Sequence, residues 1–183
     1  MKTKYVFMFL GYPGSGKTHF AKRLAEKNGI TRLNADATRV AAMGTIERAR
    51  EFNQATGLLN SIVFGVIDYA TVQIVEAGNS VICDYQHNTR DFRAKRGLLV
   101  AQYGATPVVI WLKVPRDVAV RRGADRKELL DQRRHSIEKM EALVERHSSL
   151  IEAPSNDELV IEIDGTAPFE QQYQSFSQQL QGL

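Results

Sequence analysis

Residues 11 to 18 read Gly-Tyr-Pro-Gly-Ser-Gly-Lys-Thr, a full match to the spacing G-x-x-x-x-G-K-[ST]. These residue types at these intervals make a cradle for a polyphosphate. Gly11, Pro13, Gly14, Ser15 and Gly16 surround the anion, and the glycines let backbone N–H groups turn inward. Lys17 then reaches the β- and γ-phosphates of a nucleotide such as ATP, and the Thr18 hydroxyl takes one position on Mg²⁺. The helix that opens at the end of the loop adds the positive end of its dipole.

Two carboxylates stand at positions suited to work on that anion. Leu33-Asn34-Ala35-Asp36 ends one apolar segment and runs into Ala37-Thr38-Arg39. On a helix beginning near Asp36, residues three apart share a face, so Asp36 and Arg39 project together. A carboxylate there accepts a proton from an attacking hydroxyl, while the arginine holds an acceptor. Asp36 also suits a helix cap, and the two roles are compatible. Asp84 ends the run Ser80-Val-Ile-Cys-Asp and suits a metal-holding role, direct or through water. His87 and Asn88 follow; with no second His or Cys at metal spacing, His87 reads as substrate-facing or solvated. His19, His135 and His147 read as helix-surface residues with no assigned role.

These groups must be carried by elements in the right order. Tyr5 to Leu10 is a buried strand directly before the loop, and Phe20, Ala21, Leu24 and Ala25 give helical spacing as far as Asn28-Gly29. Strand segments at 4–10, 31–35, 80–84, 106–113 and 159–163 alternate with helices, the pattern of a parallel sheet covered on both faces. In such a sheet the exit of the second strand opens onto the crevice that holds the phosphate loop. A single long helical stretch is expected over roughly 46–77, with Val63, Ile67, Ala70, Ile74 and Ala77 keeping the buried period better than Ile62, Val66, Tyr69 and Gln73. Residues 116–134 crowd Arg116, Arg121, Arg122, Arg126, Lys127, Arg133 and Arg134 among interleaved acids, partly a solvated helix face. From 167 on, Phe169, Tyr173, Phe176 and Leu180 make one stripe, so a surface helix docks there.

The bulk numbers are compatible with one domain spanning 1–183. Hydrophobic residues are 43% and charged residues 25%, ordinary globular values. The balance of 24 basic against 21 acidic residues, a net +3, permits a polyanionic substrate without demanding one. The lone Cys83 excludes an internal disulfide and suits a buried strand position. The first residues run straight into a strand and no apolar run approaches about 20 residues, so a soluble, cytoplasmic protein without a membrane partner is expected. No Asn-Lys-x-Asp segment follows a strand, which argues against a GTPase. The chain is too short for a motor with its own lever, or for a remodelling ATPase with a separate helical domain.

Taken together, the pieces resemble the small P-loop kinase family that contains the kinase half of polynucleotide kinase and the zeta-toxin-type kinases. Gly11–Thr18 resembles that family's loop, and Asn34-Ala-Asp36-Ala-Thr-Arg39 is similar to its Asn-x-Asp-x-x-Arg. Val81–Asn88 resembles its third strand, Trp111–Pro115 its fourth, and Arg122-Gly-Ala-Asp-Arg126 its lid. The resemblance implies a three-layer α/β fold with a five-stranded parallel sheet in the order 2-3-1-4-5 and an Arg-rich lid at about 121–134. It implies Asp36 as base, Arg39 and Arg93 as acceptor-positioning residues, and Arg122 and Arg126 bracing nucleotide and migrating charge. Gly123 departs from the family, where an asparagine is common. The implied reaction moves the γ-phosphoryl group of ATP·Mg²⁺ to a hydroxyl. A nucleic-acid 5′-hydroxyl is the acceptor favoured by the Asn34/Asp36/Arg39 arrangement and by Arg90, Arg93, Lys95 and Arg96. Those basics equally suit a solvated helix face. Acceptor choice falls to residues 40–75 and 85–97. The alternatives are a zeta-toxin-like kinase of a nucleotide sugar, a small-molecule kinase, and an ATP-binding module that transfers nothing.

Overall fold

The apolar run at the N-terminus becomes the middle strand of a sheet because both its faces are covered. In the computed structural model, which describes residues 3–126 and 135–183, Val6 to Leu10 are each at most 3% exposed. This strand, β1 (Lys4–Leu10), pairs in parallel with β3 (Val81–Gln86) on one side and β4 (Ala105–Lys113) on the other. β2 (Thr31–Asn34) and β5 (Val160–Asp164) complete a five-stranded parallel sheet in the order β2-β3-β1-β4-β5, the order the resemblance implied.

Alternation along β1 sorts its side chains into two layers. Phe7 and Phe9 pack with α1 (Lys17–Asn28) and α8 (Phe169–Gln181) through Phe20, Leu24, Phe169 and Phe176. Tyr173 and Leu180 pack on the same cluster, so the C-terminal stripe docks on the core as its period predicts. Val6 and Val81 face the other layer, where α4 (Leu59–Glu76) contributes Val63, Ile67 and Val75, and α5 (Arg90–Ala101) contributes Val100. Cys83 is buried in that layer beside Thr71.

Between β2 and β3 the expected single helix over 46–77 is two. α3 (Ile46–Thr56) stops at Gly57, whose φ of +68° forms a left-handed C-cap with its N–H on Asn53 O at 2.8 Å. α4 leaves at 115° to it. With α2 (Ala35–Met43), these helices make a wall rising from the carboxyl end of β2. Among the described residues no single helix is long and apolar enough to cross a membrane.

α6 (Arg116–Asp125) packs on α7 (Ile137–Ser148) through Ala119, Val120, Met140 and Val144. A Cβ on Gly123 would lie 2.1 Å from Met140 Cε and 3.2 Å from its Cγ, so the departure from asparagine serves close helix packing. Only residues 121–126 of the expected lid are described; Lys127, Arg133 and Arg134 lie outside the described residues.

Candidate functional site

The phosphate loop is wedged between β4 and α6, and its glycines are what allow it. Gly11 (φ +142°) and Gly14 (φ +85°) sit where L side chains are strained. A Cβ at Gly11 would lie 2.7 Å from Leu112 O, and one at Gly14 only 2.1 Å from Ala119 O. The turn delivers the chain to Gly16, the N-cap of α1, and places Lys17 in the first helical position. Pro13, Gly14, Gly16, Lys17 and Thr18 line a cleft of about 910 Å³, while Gly11 and Ser15 are buried beneath the loop.

Lys17 is enclosed. Its ammonium donates to Gly11 O at 2.7 Å, Tyr12 O at 2.6 Å and, more weakly, Ser15 Oγ at 3.4 Å. Burial lowers its pKa to about 7; the Asp84 carboxylate opposes that fall and the Arg126 charge adds to it. A polyphosphate arriving beside Lys17 supplies the negative charge that its surroundings lack.

Asp84 lies in register with Asn34 of the neighbouring strand, beside a shift in the β1–β3 pairing between Met8 and Phe9. It is 3% exposed. Its Oδ2 accepts from Arg32 Nε at 2.8 Å and from Asn34 Nδ2 at 2.9 Å, and Arg32 Nη2 stands at 2.5 Å. Its Oδ1 accepts from Thr18 Oγ1 at 3.2 Å. The Thr18 hydroxyl and Asp84 Oδ1 therefore form a small hard-oxygen pair at the phosphate end. That pair fits Mg²⁺, which is held by one or two protein oxygens plus substrate phosphates and water. Among the described residues no group of three His, Cys, Asp or Glu side chains forms a metal cage.

Asp36 opens into the same cleft as Lys17 and Thr18. Helix capping does not claim it: Asn34 is the N-cap of α2, accepting from Ala37 N at 2.9 Å. The Asp36 carboxylate is 37% exposed and pairs with Arg39 Nη1 at 2.8 Å, one helical turn on. Arg39 also donates from Nη2 to Asn60 Oδ1 at 2.9 Å, tying the carboxylate to α4. Arg122 and Arg126 also line the cleft, and Arg122 Nη1 donates to Gly165 O.

Three expectations change. Arg93 does not face the cleft. It is 1% exposed, with Nε and Nη2 on the Glu158 carboxylate at 2.5 and 3.0 Å and Nη1 on the carbonyls of His87 and Asn88. These bonds tie α5 to the loop after β3 through the two carbonyls and to the chain before β5 through Glu158, so the Arg93 guanidinium is engaged within the fold. The basic group around it is partly drawn into the fold as well. Arg96 is buried against Phe92, Tyr85 and Asp68; Lys95 pairs with Asp91; Arg90 Nε donates to Ala153 O. His87, expected to face substrate or solvent, is fully buried, and burial holds its pKa down to about 3. Its Nδ1 lies 3.3 Å from Phe9 N and 3.1 Å from Tyr85 O.

The sequence reading also missed cleft residues. His147 lines the cleft, its Nδ1 3.3 Å from Asn88 Nδ2, with its pKa lowered by burial and by the Lys17 charge. The signal was present: Met140, Val144 and His147 follow an i, i+4, i+7 face whose first two members are buried. Arg50, Asn53, Asn60 and Phe64 line the wall, within the stretch 40–75 assigned to acceptor choice. Of 85–97, only Tyr85 and Gln86 reach the cleft.

The AAA_33 family model, described as an AAA domain, matches residues 6–147. No curated protein sequence matches the chain. Solved structures share the fold over nearly the whole length. A putative kinase from Chloroflexus aurantiacus j-10-fl is 21% identical, with a TM-score of 0.69 over 100% of this chain and 98% of its own. A sugar kinase from Janibacter sp. HTCC2649 is 22% identical, with a TM-score of 0.66 over 98% and 95%. The APS kinase CysC of Mycobacterium tuberculosis, solved with AMPPNP and APS, is 16% identical, with a TM-score of 0.63 over 99% of both chains.

Proposed function

The chain belongs to the AAA_33 family of AAA domains, and on that premise we propose that it is an ATP-dependent phosphotransferase whose acceptor is a hydroxyl of a small molecule. One observation carries the reading. The phosphate cradle at Lys17 and Thr18 and the carboxylate of Asp36 line one cleft of about 910 Å³. Fold neighbours described as kinases, one with AMPPNP bound, add support.

The nucleotide and its Mg²⁺ bring the transferable group and neutralise its charge. Lys17 and the loop amides would hold the phosphates, and Thr18 with Asp84 Oδ1 would hold the Mg²⁺ that neutralises their charge. Asp36 takes the proton of the acceptor hydroxyl as the acceptor oxygen bonds the terminal phosphorus and the bond to the bridging oxygen breaks. Arg39 must release Asp36 for this, or share it, and its bond to Asn60 keeps the guanidinium nearby to orient the acceptor. Arg122 and Arg126 stabilise charge that develops on the migrating group. Catalysis here is chiefly positioning and electrostatics.

A nucleic-acid 5′-hydroxyl is the less favoured acceptor, since Arg93 and Arg96 are spent inside the fold. The finer likeness to polynucleotide kinase and zeta-toxin-type kinases then rests on Asn34, Asp36 and Arg39. Transfer of labelled γ-phosphate to a panel of 5′-hydroxyl DNA and RNA, nucleotide sugars, free sugars and small alcohols tests the proposal. Transfer to a small hydroxyl compound supports it. ATP hydrolysis at the same rate with and without every acceptor would favour a module that transfers nothing.

A further inference from the structure

Building on that kinase reading, we propose that the acceptor is a small hydroxylated anion, selected by Arg50 and Asn53 on α3. One face of α3 looks into the cleft: Ile46, Ala49, Arg50 and Asn53 follow the i, i+3, i+4, i+7 spacing. Asn60 and Phe64 of α4 and Arg39 of α2 line the same cleft. Charge sorts this wall. Five cationic side chains of the described residues line the cleft, Lys17, Arg39, Arg50, Arg122 and Arg126, against two carboxylates, Asp36 and Asp84. Lys17, Arg122 and Arg126 belong to the phosphate end. Asp36 pairs with Arg39, and Asp84 with Arg32.

Arg50 is left over. Among the described residues no hydrogen bond or ion pair engages its side chain. Arg50 is solvent-exposed where it lines the cleft, and an unpaired guanidinium there is a fork of donors for a carboxylate or phosphate. Three residues on, Asn53 Oδ1 is shielded from solvent with no hydrogen-bond partner. A buried unsatisfied amide oxygen is costly, and rotation of the Asn53 amide toward the cleft it lines would let a ligand hydroxyl satisfy it. Arg50 and Asn53 are about 5 Å apart along the helix axis. Anion and hydroxyl therefore sit on one short chain or ring, which leaves another hydroxyl for Asp36. A nucleobase fits this wall poorly, because Phe64 already packs against Tyr85 at 5.2 Å and Phe92 at 5.5 Å.

The test measures binding apart from transfer. A hexose, its aldonate and its phosphate are titrated into the protein with AMPPNP and Mg²⁺, and the same three are assayed for phosphorylation with ATP. The expected result is at least tenfold tighter binding of the aldonate or the phosphate than of the hexose; which one binds identifies the anion. Arg50→Gln should weaken the anion by about 10- to 100-fold, the range of a charge-assisted hydrogen bond. Arg50→Lys should recover part of it, and Asn53→Leu should weaken all three compounds. Nucleotide affinity and melting temperature check that each variant is folded. Binding of the hexose as tight as both anions, or an anion preference that survives Arg50→Gln, overturns the proposal. Arg50-dependent anion binding without transfer would defeat the kinase reading instead, and transfer to neutral sugars indifferent to Arg50 would leave that reading standing alone.

Discussion

The enclosed ammonium of Lys17 makes nucleotide affinity depend on pH in a way that can be calculated. Its pKa falls from an ordinary 10.5 to about 7, with burial the largest cause. Between pH 7 and 10.5 the native protein binds fewer protons than the unfolded chain, so ligand-free stability rises with pH across that window. Below pH 7 the full cost is present, on the order of 5 kcal/mol at about 1.4 kcal/mol for each pH unit. Phosphates need the charged form. Free protein holds that form in about nine-tenths of molecules at pH 6, half at pH 7 and a tenth at pH 8, from the two-state titration of a group near pH 7. AMPPNP affinity should therefore drop about tenfold per pH unit from 7.5 upward, until the raised pKa of the complex is reached. Binding at pH 8 should take up close to one proton, about 0.9 by the same arithmetic. Calorimetry in buffers of different ionisation enthalpy reads that uptake directly, above the range where the nucleotide itself titrates. Lys17→Met should abolish uptake, weaken binding and, by removing a buried amine, raise the melting temperature of the ligand-free protein. Flat affinity from pH 7.5 to 9.5, or uptake that persists in Lys17→Met, would refute the reasoning.

Other changes isolate other parts of the site. Asp36→Asn should leave nucleotide affinity within about twofold and reduce transfer by about 10²- to 10⁴-fold, the scale of a general base; undiminished turnover in a coupled assay would remove Asp36 from that role. Gly14→Ala combines a φ of +85° with a Cβ 2.1 Å from Ala119 O. A strain of about 1–3 kcal/mol should appear as a lower urea midpoint and lost AMPPNP binding, and wild-type affinity would contradict the wedged loop. Arg93→Ala empties a buried site, leaves a half-buried Glu158 carboxylate with only its Ser155 bonds and takes the donor from two carbonyls, so unfolding stability should drop by about 3 kcal/mol. The acceptor KM of the folded fraction should not move; a raised KM with unaltered stability would return Arg93 to the substrate.

Much of the fold was legible because its signals are local. Continuous apolar runs mark strands covered on both faces, and all five expected segments lie within about two residues of the observed strands. The stretch 46–77 reads as one helix because only Gly57 and Leu58 separate its two halves. Only the positive φ of Gly57 breaks it, and a glycine inside a helical pattern is not by itself a stop. The phosphate loop, Asp36 and Arg39 were legible for the same reason, being contiguous or one turn apart. Arg93 and Arg50 were not separable by type or spacing. Both are arginines on amphipathic helices, and what distinguishes them is a carboxylate elsewhere in the chain.

The amino-acid sequence alone determined a glycine-rich phosphate-loop pattern, a parallel sheet to carry it, and a carboxylate at the exit of the second strand that opens into the same cleft. Backbone conformation over a few residues is dictated by glycine, by capping side chains and by apolar period. Tertiary structure decided which charges remain free for a substrate. Arg93 meets Glu158 across 65 positions and Arg32 meets Asp84 across 52, and such pairing, like the burial that lowers the pKa of Lys17, exists only once distant segments are packed together.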